Sequence, residues 1–207
     1  MRITHIISIL LIFFISFLSN SAFALTISAS ASGSVELETV LYPDTITNGD
    51  FLISQPNGSA TIIGDGINER TNWTFDFTSD PFFDLFLTDS PLTSALFTLT
   101  LTPYSKLITT DAVRIEGLSK IKDEIQALPV HETATVEIEL LDYYTSDEIL
   151  GKLSGNDNGY IPMFYHDDAI VSYAQLDLSN TVPEPSTLFL TWPSNSRLDP
   201  ECFKIGE

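Results

Sequence analysis

The nine residues from Ser94 to Thr102, SALFTLTLT, alternate strictly: Ala95, Phe97, Leu99 and Leu101 fall on one side of an extended chain, Leu96, Thr98, Thr100 and Thr102 on the other. Successive side chains of a strand point to opposite faces, so this period of two predicts a strand with one face turned to a core. The β-branched threonines suit the wetter face of a pleated sheet. Pro103, which has no N–H to donate, ends the ladder. Thr133 to Leu141, TATVEIELL, repeats the device with Val136, Ile138 and Leu140 opposite Glu137 and Glu139. Weaker alternation marks Ser34 to Leu41, Asn72 to Phe77 (with Trp73, Phe75 and Phe77 in phase), Ala112 to Ile115 and Ala169 to Leu178.

Between these runs, TNGD, QPNGS, IGDG and TSDP supply the Gly, Asn and Pro that turns require. Two stretches carry helical spacing instead. Lys120 to Leu128, KIKDEIQAL, lines up Ile121, Ile125 and Leu128 before Pro129. Thr145 to Leu153, TSDEILGKL, offers Thr145 and Glu148 as a capping box, an inward stripe of Ile149, Leu150 and Leu153, and Gly155 just beyond. Many short strands, few helices and no repeat predict an all-β fold: an antiparallel β-sandwich of jelly-roll or carbohydrate-binding-module type with one or two short helices. An immunoglobulin-like sandwich is the alternative architecture.

A chain of 207 residues has room for one domain with a real core. Its 28 acidic against 9 basic residues, a formal charge of -19, work against nucleic acid as a partner, because phosphate backbones need clustered Lys and Arg. The 14 Phe and 7 Tyr provide the apolar mass that a disordered acidic chain lacks. The only cysteine is Cys202, so no intrachain disulfide can form and packing alone must hold the fold.

Motifs that carry chemistry are scarce. The sequence has no Gly-rich phosphate loop, His-Glu-x-x-His helix, Gly-x-Ser-x-Gly elbow or paired-cysteine metal spacing. His166, Asp167 and Asp168 are the one place where a histidine and two carboxylates meet. Neighbours on an extended chain diverge, however, so the three side chains do not readily converge, and a solvated turn leading into the strand from Ala169 is the better reading. Ser154 to Gly159, SGNDNG, departs from a calcium loop: Ser154 stands at the first ligand position and Tyr165 where a bidentate Glu belongs. It reads as a Gly/Asn-rich loop, and no cofactor is expected. Tyr143, Tyr144, Tyr160 and Tyr165 could stack on sugar rings, but suit core and rim positions better. His131, beside Glu132, reads as a surface residue.

The two ends read as addresses. Arg2, the apolar run Ile6 to Leu18 and the small-x-small pattern Ala22-Phe23-Ala24 form a secretory leader, residues 1–24, with signal peptidase as partner and Leu25 as the expected mature N-terminus. The sandwich domain is expected over 25–180. From Thr181 the alternation gives way to Val182-Pro183-Glu184-Pro185-Ser186-Thr187, which proline holds extended.

At these residues the chain resembles bacterial PEP-CTERM proteins, whose C-terminal signal is a Pro-Glu-Pro motif, a membrane-spanning helix and a basic cluster, handled by the membrane enzyme exosortase. Val182, Pro183, Glu184, Pro185, Ser186 and Thr187 match the sorting motif. The rest of the tail, 181–207, departs from it. Only Leu188 to Trp192 precede Pro193, where a span needs about 20 apolar residues, and Arg197 stands in place of an arginine cluster. The resemblance implies exosortase as partner and a non-enzymatic, secreted or cell-surface role in an extracellular matrix, associated with exopolysaccharide. A carbohydrate-binding module and a secreted hydrolase are the alternatives.

Overall fold

The computed structural model describes residues 23–55, 62–88, 90–106, 110–155 and 158–182. Its strands are β1 (Phe23–Ser32), β2 (Val40–Leu41), β3 (Thr45–Asn48), β4 (Phe51–Ser54), β5 (Ile62–Ile63), β6 (Glu69–Asp76), β7 (Leu92–Pro103), β8 (Ala112–Ile115), β9 (Ala134–Glu139), β10 (Tyr160–Asp167) and β11 (Ala169–Val182). Two helices join them, α1 (Phe83–Phe86) and α2 (Ser146–Leu153), with a 3-10 turn over Leu140–Asp142. Ala24–Thr181 is the compact unit to which these elements belong, save the end residues Phe23 and Val182.

The strands form a four-stranded sheet in the order β1-β11-β7-β9, a five-stranded sheet in the order β3-β4-β6-β10-β8, and a small pair, β2-β5. Adjacent strands of the two larger sheets run antiparallel wherever their register is defined. The fold is the expected all-β sandwich. Ala95, Phe97, Leu99 and Leu101 of β7 are fully buried and meet Trp73 and Phe75 of β6 in one core. Trp73 stacks on Phe97 across the gap, centroids 6.3 Å apart at 9°, and Phe75 meets the same ring edge-on at 6.2 Å. Sheet-to-sheet packing of this kind buries most of each inward side chain, worth about 1.5–3 kcal/mol apiece.

Several sequence expectations hold with small extensions. The β7 strand runs over Leu92–Pro103, so Pro103 is its last residue, and β11 continues past Leu178 through Val182, two residues into the segment read as tail. The β8 strand matches Ala112 to Ile115. TNGD turns β3 into β4, with Gly49 at φ +60° where an added Cβ would lie 2.1 Å from the Ser32 carbonyl oxygen. In α2, the Thr145 hydroxyl accepts from Glu148 N at 3.3 Å while the Glu148 carboxylate accepts from Thr145 N at 2.8 Å.

Others need correction. Lys120 to Leu128 is not a helix but a chain of isolated turns, in which both Ile125 N and Gln126 N donate to Lys122 O. The reason is Ile121, whose backbone bonds Val113 in both directions at 2.9 and 3.0 Å and is thereby lost to any helix. Ile121 and Ile125 are nonetheless fully buried, as their stripe requires. Of Ser34 to Leu41 only Val40–Leu41 is a strand. Before it, the Asn48 side chain accepts from Ser34 N at 2.8 Å and donates to Ser34 O at 3.0 Å, replacing a ladder partner with an amide.

At the start of β6, Glu69 is an inward-facing carboxyl, 1% exposed. It accepts from the backbone of Gly64, in a turn that φ +89° reserves for glycine. Burial lifts its pKa to about 7, helped by nearby Asp65 and opposed by the Gly64 N–H. Because folding raises this pKa from 4.5, its contribution to stability is full below that value and is lost as pH rises through about 7. Glu69→Gln keeps an acceptor that never ionises. Urea denaturation should therefore find it more stable than the native chain at pH 8, by up to about 3 kcal/mol, with the gap closing by pH 5. An equal gap at both pH values would contradict the ionised-carboxylate argument.

Candidate functional site

The period of two that turns Trp73 and Phe75 inward turns Arg70, Asn72, Thr74 and Asp76 outward. Register carries the same logic across the sheet. Asn72 pairs with Leu52 on one side and Phe164 on the other, and Phe164 pairs with Arg114. One step along, Ser54, Arg70, His166 and Ala112 form the next row. The outer face of the five-stranded sheet thus gathers residues that lie far apart in sequence.

Phe164 is only 4% exposed although it points away from the core. Two arginines cover it: the Arg70 guanidinium carbon lies 3.7 Å from the ring centroid and that of Arg114 4.5 Å. Beside them is a pocket of about 210 Å³ lined by Arg70, Ala112, Arg114, Lys120, Phe164 and His166. Sharing Arg70 and Phe164 with it is a larger groove of about 570 Å³, where Asp50, Asn72, Asp76 and Glu116 surround Leu52 and Pro162. Nε of Arg70, Nε of Arg114 and Nδ1 of His166 are buried without a hydrogen-bond partner. Burial, reinforced by Lys120, Arg70 and Arg114 and opposed by Asp167, holds the imidazole below its ordinary pKa.

The structure separates His166, Asp167 and Asp168. His166 faces the cationic pocket. Asp167 ends β10 at φ +100°, and burial pushes its carboxyl upward in pKa. Asp168 turns away to accept from Asn68 N at 2.8 Å and the Ser105 hydroxyl at 2.5 Å. Its own N–H donates to Asp111 at 2.9 Å, and the same carboxylate takes the hydroxyl of Tyr165 at 3.0 Å. Among the described residues no group of three or more His, Cys, Asp or Glu side chains could hold a metal. His131 is exposed at φ +62°, with its ring edge-on to Tyr104.

Tyr144 and Tyr165 are core residues, and burial raises the pKa of both, that of Tyr144 to about 12. Tyr143 is half-buried and donates to Glu124, which pushes its pKa to about 12. Tyr160 is the exposed member of the four. Of SGNDNG, residues 156–157 lie outside the described residues, as do Ala22 and Pro183, Glu184, Pro185, Ser186 and Thr187 of the two address motifs. Ala24 lies in β1 and Val182 ends β11. No helix among the described residues is long and apolar enough to cross a membrane.

Sequence reading missed Phe164, Arg70, Arg114, Lys120 and Asn72 as site residues. A signal for them did exist, in Arg70 and Asn72 standing out of phase with Trp73, but only topology brings Arg114 and Lys120 to the same pocket.

No protein-family model matches the chain. No curated protein matches it either. Among solved structures, one described as a crystal structure with xylogluco-oligosaccharide is similar at 9% identity and a TM-score of 0.33, over 77% of this chain and 39% of that one. The chain thus spans less than half of that protein's length. A likeness this distant bears on neither activity nor ligand.

Asp168 is structural in this geometry, so Asp168→Ala should destabilise the fold by about 1 kcal/mol by removing its hydrogen bonds from the Asn68 N–H and the Ser105 hydroxyl. Thermal melts with and without calcium should show the same loss. A calcium-dependent difference between the two proteins would instead assign Asp168 to a cation.

Proposed function

We propose that this chain is an exported, non-enzymatic surface or matrix protein of the exosortase-sorted kind, whose sandwich holds extracellular polysaccharide on the outer face of its five-stranded sheet. The observation that carries the binding reading is the groove along β4, β6 and β10. Sugars present hydroxyls at their edges and C–H surfaces on their faces, and a site for them needs polar groups set around an apolar floor. Asp50, Asn72, Asp76 and Glu116 supply the first, Leu52 and Pro162 the second. The address rests on sequence: the leader ending Ala22-Phe23-Ala24, for signal peptidase, and Val182 to Thr187, for exosortase.

Affinity electrophoresis of the exported chain through gels carrying matrix and envelope glycans tests the reading. At least one glycan should retard it. Asn72→Ala should weaken that retardation about tenfold through one lost hydrogen bond to sugar, while Thr98→Ala, on the outer face of the other sheet, leaves it unchanged. Equal binding by both variants, or none by the native chain, would remove the groove from the account. New reducing ends in the glycan would contradict the non-enzymatic part alone.

A further inference from the structure

The charge of the molecule makes the cationic pocket anomalous. In a chain with 9 basic residues against 28 acidic ones, Arg70, Arg114 and Lys120 all line one pocket of about 210 Å³. They reach it from β6, from β8 and from the loop after β8. Random placement in so acidic a chain would surround each cation with carboxylates. Here two guanidinium groups instead crowd one ring, where like charges repel each other.

Hydrogen bonding shows the same incompleteness. A buried N–H left without an acceptor costs about 1–3 kcal/mol, so unsatisfied groups are rare and call for an explanation. Two guanidinium Nε atoms and one imidazole Nδ1 are unsatisfied together, on three residues of this pocket. One bound group bearing negative oxygens would accept from the guanidinium nitrogens, relieve their mutual repulsion and pair with the Lys120 ammonium.

We propose that this pocket binds an oxyanion substituent, a carboxylate or a sulfate ester, carried by a sugar unit of the polysaccharide lying in the adjoining groove. The inference rests on the polysaccharide reading and narrows it to acidic glycans. Because Arg70 and Phe164 belong to both cavities, a chain whose hydroxyls meet Asn72 and Asp76 can place its charged substituent beside Arg114 without a gap. The acidic rim of the groove then sets polarity: hydroxyls toward Asp50, Asp76 and Glu116, the anion toward Arg70, Arg114 and Lys120.

His166 adds a proton linkage. The charges facing it are Arg70 from β6, Arg114 from β8, Lys120 from the following loop and Asp167 on its own strand. Burial and the three cations disfavour the imidazolium, whereas an incoming anion favours it, so binding is coupled to protonation of His166 and strengthens as pH falls. The acidic body loses negative charge over the same range, which makes a variant at position 166 the necessary control.

Calorimetric titration of the full exported chain with polygalacturonate, a sulfated glucan and the unmodified neutral glucan, at low salt and at pH 6 and 8, provides the test. The acidic polymers should bind at least about tenfold more tightly than the neutral one, the tighter of the two naming the oxyanion. Lys120 is exposed, so Lys120→Gln should leave the fold intact. It should cut acidic-glycan affinity about fivefold to tenfold without touching neutral binding. Arg114→Gln, accepted only if its thermal transition stays cooperative, should do the same. His166→Gln should flatten the pH dependence that the native chain shows. Neutral glycan bound as tightly as acidic, with Lys120→Gln silent, would overturn the oxyanion site and leave the polysaccharide reading standing. Binding of none of the three polymers, together with none in the electrophoresis, would overturn both.

Discussion

The stack of Trp73 on Phe97 is the contact on which the rest of the molecule depends. The two rings come from different sheets, β6 and β7, and meet nearly parallel with centroids 6.3 Å apart. Phe51 and Phe75 close on the indole edge-on at 5.7 and 6.3 Å. With a single cysteine in the chain, covalent cross-linking cannot take over this role. The cluster even tolerates an indole N–H with no hydrogen-bond partner. That loss of about 1–3 kcal/mol is smaller than the gain from burying several aromatic side chains and their ring contacts.

Once Trp73 is turned inward, the outer surface follows without further choice. A slip of one residue in β6 would exchange Trp73 for Asn72 and empty the core, so the register is held by the strongest hydrophobic penalty available. The same register sets Phe164 between Asn72 and Arg114 and lines His166 up with Arg70, and the guanidinium groups of Arg70 and Arg114 close over the Phe164 ring. The groove and the cationic pocket are therefore by-products of core packing in their geometry. Their chemistry is a separate matter, decided by which side chains occupy outward positions that packing leaves open.

That division explains what could be read from the sequence. The β7, β9 and β6 strands were legible because Phe97, Ile138 and Trp73 alternate with Thr98, Glu137 and Thr74, one face dry and the other wet. The α2 helix was legible because its capping box is local. In contrast, β10 was hidden: Ile161, Met163, Phe164 and Tyr165 are all buried, so no alternation survives, and Pro162 argues against a strand. Phe164 is buried by arginines rather than by the core, which no local pattern can announce. The site was illegible for a related reason. Arg70, Arg114 and Lys120 are ordinary isolated cations along the chain, and only the order β6-β10-β8 brings them together.

The central claim is that the outer face of the five-stranded sheet, and not the threonine-rich outer face of the other sheet, is where the molecule meets its ligand. Backbone and side-chain NMR shifts, followed while an acidic oligosaccharide is titrated into the labelled chain, test it residue by residue. The account predicts saturable shifts at Asn72, Arg114, Phe164 and His166, with Thr98, Thr100 and Thr135 unmoved. Shifts confined to those threonines, or spread evenly over both sheets, would contradict it.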